Sequence, residues 1–513
     1  MRRGSLPVLL AVVTLATEVI AQPPVSFSRD PGDYVVGSSP LSVTAADFSG
    51  DLIPDLATAN TDSDDVWLLR GNGDGTFSDI GAIFEVGLTP VAVGSGDFTG
   101  DGRLDIITAN EIDNTVSVLP NEGSSVFGTA IDSETGTSPE ALFIGRFDAD
   151  QALDVATTDN FDDTVTILKG VGDGTFTILD VVLVGIAPVG MAGGDLNNDD
   201  KVDLVVANSG GGPEASGSIS VLKGLDEGRF EALEEIPVTC GSEGCAPVAV
   251  AIADFNADDN LDVAVLNEEA DSVSILLGNG DLTFEEKGFF LVGSFPEGIV
   301  VGDFNDDGKA DVATTSNFQD NVVVLVGVGD GTFLPQPASV LAQDAAQGAM
   351  ALVLENASRF PSFGTALVDT EILEFTSRSG NTLNLAAPLS ATVSAQTVVS
   401  MIFPVGAGPW GIASGDFNRD DKVDLVTANQ DDETVSILLN VSGPISTCAG
   451  DCDDTGAVTI DDIIRMVNIA QMTAPIADCL AGDVDGDGTI TVDEIIQAVN
   501  NAQNGCPMGA GDN

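Results

Sequence analysis

Histidine is absent from the 513 residues of this sequence, and Lys and Arg together number only 17. Without histidine, the chain can form no Ser-His-Asp triad, no His-based general acid–base pair and no His-ligated metal site. A single tyrosine, Tyr34, leaves one candidate for a tyrosine base. The 81 Asp and Glu residues bring the formal net charge to −64, which repels nucleic-acid phosphates and anionic lipid. We therefore expect no nucleic-acid partner.

Long apolar runs are missing everywhere except near the N terminus. There, two arginines precede an apolar run from Leu6 to Ala16, which ends well before the roughly 20 residues that a membrane span requires. Residues 1–21 are therefore predicted to be a secretory signal peptide, and the mature protein to be secreted, extracellular or at the cell surface. No membrane span is expected. The six cysteines, an even number, then predict three disulfides.

The composition nevertheless predicts an ordered protein. Hydrophobic residues make up 43% of the chain, which is too many for a disordered acidic polymer. Its 58 glycines, together with abundant Val, Leu, Ile and Ala, suit many short strands joined by turns. An ordered core under this much negative charge suggests bound cations.

A repeated frame organises the sequence: Gly, two residues, Pro, six residues, then an acidic loop. Internal repeats of this kind decide the architecture of a chain. The frame prolines are Pro40, Pro90, Pro139, Pro188, Pro247, Pro296 and Pro409. The first loop position follows seven residues after each proline, at Asp47, Asp97, Arg146, Asp195, Asp254, Asp303 and Asp416.

The acidic loops carry oxygen-bearing side chains at positions 1, 3, 5 and 9. A single such loop is also typical of a plain hairpin turn, but the recurrence of the same positions favours a metal site. Calcium takes six to eight oxygens in irregular geometry and is preferred over magnesium. The predicted ligands are Asp47, Ser49, Asp51 and Asp55; Asp97, Thr99, Asp101 and Asp105; Asp195, Asn197, Asp199 and Asp203; Asp254, Asn256, Asp258 and Asp262; Asp303, Asn305, Asp307 and Asp311; and Asp416, Asn418, Asp420 and Asp424. In the third loop Arg146 stands at position 1, so that loop is expected to be metal-free, with the guanidinium in place of the ion.

Each repeat is predicted to form four short strands. Loop starts lie 49 or 50 residues apart, except for spacings of 59 and 113 residues. A four-stranded sheet has two faces to bury and must stack on its neighbours. The residue after position 1, Phe in six copies and Leu196 in the other, is a candidate anchor between repeats. The last repeat stops after residues 435–440, and we expect residues 25–27 at the N terminus to supply its missing strand.

These units resemble the FG-GAP/VCBS repeats of integrin α-chain propellers and of many secreted bacterial proteins, over residues 22–445. The resemblance implies an all-β, seven-bladed β-propeller with calcium-binding hairpins on one face and ligand-binding loops on the other. The longer spacings are explained by a local Cys240–Cys245 disulfide and by an inserted β-module at about residues 341–401, both expected on the ligand face. Trp410 is expected at the rim of that face, with core packing favoured over ligand binding as its role.

Residues 447–513 differ in character from the repeats. Two twelve-residue loops match the EF-hand pattern, each followed by apolar residues at helical spacing. This small helical unit resembles a dockerin, which implies a cohesin-like partner, although Ile460-Asp461 and Val492-Asp493 replace the small hydroxyl residues typical of cohesin recognition. Sequence leaves the pairing of Cys448, Cys452, Cys479 and Cys506 open. The predicted calcium ligands are Asp451, Asp453, Thr455 and Asp462, and Asp483, Asp485, Asp487 and Glu494.

Three functions fit this sequence. The first is a non-enzymatic extracellular adhesion or ligand- or carbohydrate-binding scaffold, with calcium stabilising each repeat and a protein or glycan ligand on the opposite face. The second is a polysaccharide-active enzyme, of lyase or glycoside-hydrolase type, with a dockerin-like tail. The third is a structural surface component. No catalytic residue is predicted, because nearly every clustered acid already belongs to a loop.

Overall fold

The structure is a computed structural model. It describes residues 25–29, 32–210, 217–241, 244–335, 337–357, 359–361, 363–368 and 371–442, together with five isolated positions near the C terminus. The predicted signal peptide and the dockerin-like loops lie outside the described residues. Within residues 25–442, where described, the regular secondary structure is β-strand apart from two 3-10 turns, Asp226–Gly228 and Asn317–Gln319. Across these residues no helix is long and apolar enough to cross a membrane.

The strands form antiparallel sheets in chain order. The first two are β1 (Phe27–Arg29) and β2 (Tyr34–Val35). One sheet contains β3 (Pro40–Ala46), β4 (Asp55–Asn60), β5 (Asp65–Gly71) and β6 (Phe77–Glu85). The next contains β7 (Pro90–Gly96), β8 (Asp105–Asn110), β9 (Thr115–Leu119) and β12 (Ile131–Glu134), with a hairpin of β10 (Asn121–Gly123) and β11 (Val126–Phe127) before the last of them.

The middle repeats follow the same plan. Strands β13 (Pro139–Gly145), β14 (Asp154–Asp159), β15 (Thr164–Gly170) and β16 (Phe176–Leu183) form one sheet. The following sheet has β17 (Pro188–Gly194), β18 (Asp203–Asn208), β19 (Ser218–Gly224) and β20 (Phe230–Ala232), with β21 (Ile236–Pro237) also on β19. After it come β22 (Pro247–Ala253), β23 (Asp262–Asn267), β24 (Ser272–Gly278) and β25 (Phe284–Leu291).

The insertion enlarges the sheet that follows. Strands β26 (Ile299–Gly302), β27 (Asp311–Ser316) and β28 (Asn321–Gly327) pair in order, and β29 (Phe333–Leu334) joins the end of β28. The sheet then continues through β35 (Val398–Pro404) into β30 (Ala338–Val340), β31 (Ala351–Val353), β32 (Gly364–Val368), β33 (Glu371–Ser379) and β34 (Thr382–Leu385). The predicted inserted β-module is thus confirmed as β-structure, and it extends the outer edge of a repeat. The predicted disulfide between Cys240 and Cys245 is also present.

The last sheet combines the two ends of the repeat region. It contains β36 (Pro409–Gly415), β37 (Asp424–Asn429), β38 (Thr434–Asn440) and then β1, with Phe27 opposite Asn440. The prediction that the N-terminal strand completes the last repeat is therefore confirmed. Val25 and Phe27 are buried there, so this pairing adds apolar packing as well as hydrogen bonds.

The sheets surround a central axis. Their first strands contact one another in the order β3, β7, β13, β17, β22, β26 and β36, and β36 contacts β3 again. The second strands, such as β4 and β8, are buried along their whole length because both of their faces are covered by neighbouring sheets. This radial arrangement of sheets is a β-propeller. The all-β class predicted from the sequence is confirmed.

Aromatic pairs hold neighbouring sheets together. In most repeats the residue after loop position 1 meets a phenylalanine of the next sheet with ring centroids 5.2 to 6.1 Å apart. The pairs are Phe48–Phe127, Phe98–Phe176, Phe147–Phe230, Phe255–Phe333, Phe304–Phe27 and Phe417–Phe77. Leu196 packs instead in a cluster with Leu282. The predicted role of these residues as anchors between repeats is confirmed, and Phe417–Phe77 joins the last sheet to the first.

Candidate functional site

The acidic loops connect the first and second strands of each sheet, and position 9 is the first residue of the second strand. In every copy the position 9 carboxylate is buried and accepts hydrogen bonds from two places. One donor is a backbone N–H group of the loop itself, and the other is a backbone N–H group at or just after the end of the third strand. In the sixth copy, Asp311 accepts from Phe304 N at 2.9 Å and from Gly327 N, at the end of the third strand, at 2.7 Å. One carboxylate therefore ties the loop to the third strand. We call this arrangement the loop clasp.

The loop clasp is repeated throughout, with donor–acceptor distances of 2.7 to 3.1 Å. Its carboxylates belong to Asp55, Asp105, Asp154, Asp203, Asp262, Asp311 and Asp424. Burial, together with a smaller contribution from repulsion by Asp307 and Asp303, raises the pKa of Asp311 to about 7. Asp154 keeps the clasp although Arg146 replaces the acid at position 1. The clasp is therefore a structural role of position 9 that the metal interpretation did not predict.

Positions 1, 3 and 5 shape the loop itself. The position 1 carboxylate accepts backbone N–H groups from positions 5 and 6, as in Asp97, which bonds Asp101 N at 3.0 Å and Gly102 N at 2.9 Å. The position 5 carboxylate accepts the N–H of position 7, as Asp101 does from Arg103 at 3.0 Å. Side-chain oxygens of the loop therefore accept hydrogen bonds from backbone N–H groups of the same loop, as in Asx turns.

Position 3 shows that the donor set suits a hard cation. In the described part of the chain, Thr99 Oγ1 and Asn197 Oδ1 are buried without a hydrogen-bond partner, and both stand at position 3. Buried oxygens normally have partners, so these two are available to a further ligand. No His or Cys side chain is among the predicted ligands, and oxygen donors alone match calcium. Over the same residues, no group of three or more His, Cys, Asp and Glu side chains is already gathered as a metal centre.

The third loop differs from the prediction made for it. The Arg146 guanidinium does not replace the ion, because its Nε donates to Gln151 O at 3.3 Å on the surface. The cation among the carboxylates is instead Lys169, on the third strand, whose Nζ contacts Asp148 at position 3 and lies 2.9 Å from Asp150 at position 5. Both carboxylates raise the pKa of Lys169 above its ordinary value. An ammonium group thus supplies a counter-charge to two carboxylates of this loop.

Replacing this ammonium group tests its role. We expect Lys169→Met to lower the free energy of unfolding by about 0.5–1 kcal/mol, because it leaves two neighbouring carboxylates without their counter-charge. Lys223→Met is the matched control, since Lys223 occupies the same register in the next repeat with its Nζ 4.0 Å from Asp199. Urea denaturation of both variants in excess chelator measures the difference. Equal losses of unfolding free energy in the two variants would contradict the assignment of Lys169 as the counter-charge of the third loop.

A comparison with protein families supplies the identification. The FG-GAP-like repeat model matches residues 47–108, 97–157, 195–265 and 254–314. Each match begins at position 1 of an acidic loop and extends into the following repeat. The matched residues are FG-GAP-like repeats, and the described sheets form a β-propeller. A search of curated proteins found no match to this sequence.

Solved structures resemble this propeller in fold only. The BBS1N chain crystallised with ARL6DN is 13% identical with a TM-score of 0.48, over 82% of this chain and 98% of that one. Virginiamycin B lyase from Staphylococcus aureus is 10% identical with a TM-score of 0.46, over 80% and 99%. The periplasmic gluconolactonase of Pseudomonas aeruginosa is 15% identical with a TM-score of 0.42, over 57% and 83%. We draw no functional conclusion from these similarities.

The end of the propeller opposite the acidic loops holds a central cavity of about 280 Å³. We call it the channel mouth. It is lined by the residues that follow the frame prolines, where several first strands carry a β-bulge, for example between Pro139 and Ala141. A bulge re-aims the side chain of the extra residue. Gly190, Gly298 and Gly411 let neighbouring first strands approach closely there. A Cβ atom at any of them would lie 2.5 or 2.6 Å from a backbone oxygen of the neighbouring repeat.

Two glutamates stand in the channel mouth, Glu140 on β13 and Glu297 just before β26. Burial raises the pKa of Glu140 to about 7, with added repulsion from Glu111. Burial raises the pKa of Glu297 to about 8, with added repulsion from Glu268. The sequence analysis missed both. Alignment of the repeats would have revealed them, because the residue after the frame proline is apolar in all five remaining copies.

Trp410 occupies this same position in the last repeat. It is half-buried and lines the channel mouth, which agrees with the predicted place at the rim. The favoured role in core packing is wrong, because part of the side chain faces this cavity. In the C-terminal unit, the described positions Ile463, Val467, Ile495 and Val499 have helical backbone. All eight predicted calcium ligands of that unit, and its four cysteines, lie outside the described residues.

Proposed function

We propose that this FG-GAP propeller is a secreted, non-enzymatic extracellular binding scaffold that calcium stabilises. The observation that carries the proposal is the recurrence of oxygen-only loops, two of which hold a buried oxygen without a partner at position 3. We further propose that the N-terminal 21 residues direct secretion. The dockerin-like unit would add two calcium sites and a binding function for a cohesin-like partner.

A count of seven blades is part of this proposal. It is supported by the contacts between successive first strands, from β3 through β36 and back to β3. The pairing of β1 with β38 supports it too, because the last sheet otherwise lacks its outer strand. Closure of the ring leaves fewer free strand edges for aggregation.

Calcium would be held in six of the repeat loops, by the side-chain oxygens at positions 1, 3 and 5 and by the partly engaged carboxylate at position 9. Bound calcium would offset the repulsion among these carboxylates. Extracellular modules bind calcium with dissociation constants of about 10⁻⁴–10⁻³ M. At ~1–10 mM calcium each such site would add roughly 0.4–2.7 kcal/mol. Several sites together would then decide how stable this highly charged chain is.

Thermal melting tests the calcium proposal. We expect excess chelator to lower the melting temperature markedly, and added calcium to restore it more fully than the same concentration of magnesium. Thr99→Val provides a variant in one repeat loop, because it removes the position 3 hydroxyl and keeps the size of the side chain. It should melt close to the parent in chelator but gain less from calcium. A parent melting temperature that does not respond to chelator would refute calcium stabilisation.

The ligand face is proposed to be the end that holds the channel mouth. Exposed apolar side chains support this choice, since Phe161 and Phe318 are 76% and 71% exposed on loops at that end. Phe318 also stacks on Phe295 with ring centroids 4.6 Å apart. A protein or glycan ligand would find exposed aromatic contacts there.

A polysaccharide-active enzyme remains the second candidate, and one observation favours it. Glu140 and Glu297 are acids outside the repeat loops with raised pKa values, as a general acid requires. Apart from Glu140, Glu297, Ser42 and Trp410, however, the side chains that line the cavity are apolar, so few polar side chains could orient a sugar. Cleavage of a polysaccharide panel that is lost in both Glu140→Gln and Glu297→Gln would establish the enzyme; no cleavage by the parent protein would favour the scaffold.

A further inference from the structure

We propose that the channel mouth binds an aliphatic diamine, with one ammonium group at Glu140 and the other at Glu297. This ligand goes beyond the proposed scaffold function, and its binding does not require that the acidic loops hold calcium.

The two glutamates lie on opposite sides of the channel mouth. Between β13 and β26 the ring contains β17 and β22 on one side, and β7, β3 and β36 on the other. The two side chains are 157 positions apart in sequence, yet both line the same cavity. A ligand that contacts both must therefore carry two groups separated by a spacer.

Both carboxyl groups lack a counter-charge. Within the described residues neither one has a hydrogen bond or an ion pair, and none of the residues lining the cavity is Lys or Arg. The charged groups that face them are also acids, Glu111 beside Glu140 and Glu268 beside Glu297. A half-buried carboxylate without a partner is costly, so a cation that enters the mouth is stabilised strongly.

The remaining lining selects the kind of cation. Between the glutamates the wall is formed by aliphatic residues such as Val91, Val189 and Val248, which suit an alkyl spacer. Trp410 offers an indole, to which an ammonium group is attracted. A calcium ion would find few of the six to eight oxygens it needs, since only two carboxyl groups and the Ser42 hydroxyl line the wall along with backbone.

Isothermal titration calorimetry with α,ω-diaminoalkanes of three to eight carbons tests the proposal. The full-length protein is used in about 0.15 M salt with excess calcium, so that the acidic loops are saturated and surface charge is screened. We expect one spacer length to bind best, and n-butylamine, with a single charge, to bind at least about tenfold more weakly. Binding by all diamines and the monoamine alike would overturn the proposal, as would no binding by any diamine.

Charge-matched variants distinguish diamine binding in the channel mouth from diamine binding to the acidic surface. Glu140→Gln with Glu297→Gln should weaken the best diamine at least about tenfold, whereas Glu231→Gln with Glu286→Gln, an equal charge change at exposed strand positions, should leave affinity within about twofold. Equal weakening in the two pairs would overturn the assignment. If the first pair fails to fold, the spacer-length series on the parent protein still decides the question.

The pH dependence gives a second, independent measurement. Burial holds the pKa values of Glu140 and Glu297 near 7 and 8, so both groups take up protons as the pH falls from 8.5 to 6. Diamine affinity should therefore drop at least about tenfold over this range for spacers of about five or more carbons, which keep both amines charged throughout. An affinity that does not change would overturn the proposal. None of these results depends on the chelator response of the melting temperature, so failure here and failure of the calcium proposal are distinguishable.

Discussion

Phe27→Ala is expected to lower the free energy of unfolding by about 3–5 kcal/mol, among the largest effects of any single substitution in the propeller. Phe27 is 7% exposed, and its ring lies 5.1 Å from that of Phe403 and 6.1 Å from that of Phe304. The substitution removes this packing from β1, the short strand that joins the N terminus to β38. It therefore weakens both the local core and the closure of the ring.

The measurement is urea denaturation, with Phe161→Ala as the matched control. Phe161 is 76% exposed, so the same change there should cost less than about 0.5 kcal/mol. Phe27→Leu should fall between them because it keeps most of the apolar volume. We also expect Phe27→Ala to aggregate more readily, since loss of β1 exposes the edge of β38. If Phe27→Ala is as stable as the control, β1 does not close the ring in solution.

Asp311→Ala is expected to lower the free energy of unfolding by about 2–5 kcal/mol. Asp311 is fully buried and its two carboxylate oxygens accept hydrogen bonds from Phe304 N and Gly327 N. Truncation leaves both N–H groups buried without an acceptor, and each such group costs about 1–3 kcal/mol. Asp311→Asn should have a smaller effect, because one amide oxygen can still accept.

The loop clasp, rather than metal binding, is what this experiment examines. Denaturation is therefore measured in excess chelator, where a calcium ligand would contribute nothing. Asp154→Ala in the third loop should lower the free energy of unfolding by a similar amount. Asp154 accepts the equivalent hydrogen bonds, from Phe147 N and Gly170 N. Asp306→Asn, at an exposed loop position with φ +60°, is the control and should change stability by less than about 0.5 kcal/mol. A loss seen only when calcium is present would contradict the clasp.

Much of the fold was predictable because its causes are local in the sequence. The frame proline, the acidic loop and the alternating apolar runs recur at nearly constant spacing, and each specifies the same strand order. Phe48 and its equivalents stood out as anchors because they follow the loop start in copy after copy. The strand at residues 25–27 was predictable because the last repeat visibly stops short.

The roles of individual charged side chains were less predictable, since they depend on partners that are distant in sequence. Asp311 was assigned as a metal ligand from its loop position, but its partner Gly327 lies on another strand. Arg146 was chosen as the cation of the third loop because it stands inside that loop. Lys169 takes that place instead, because pairing of β14 with β15 brings its ammonium group back to Asp148.

The sequence alone determined that the acidic loops repeat, that they contain only oxygen donors, and that they form part of stacked antiparallel sheets. Those properties depend on residue type and spacing, and both are given by the amino-acid sequence. The tertiary structure alone decided which charges meet. Ring closure brings Glu140 and Glu297 to one cavity across 157 positions of sequence, and strand pairing places Lys169 among carboxylates. Electrostatic interactions depend on distance in space and on burial, and neither is fixed until the sheets have closed around their axis.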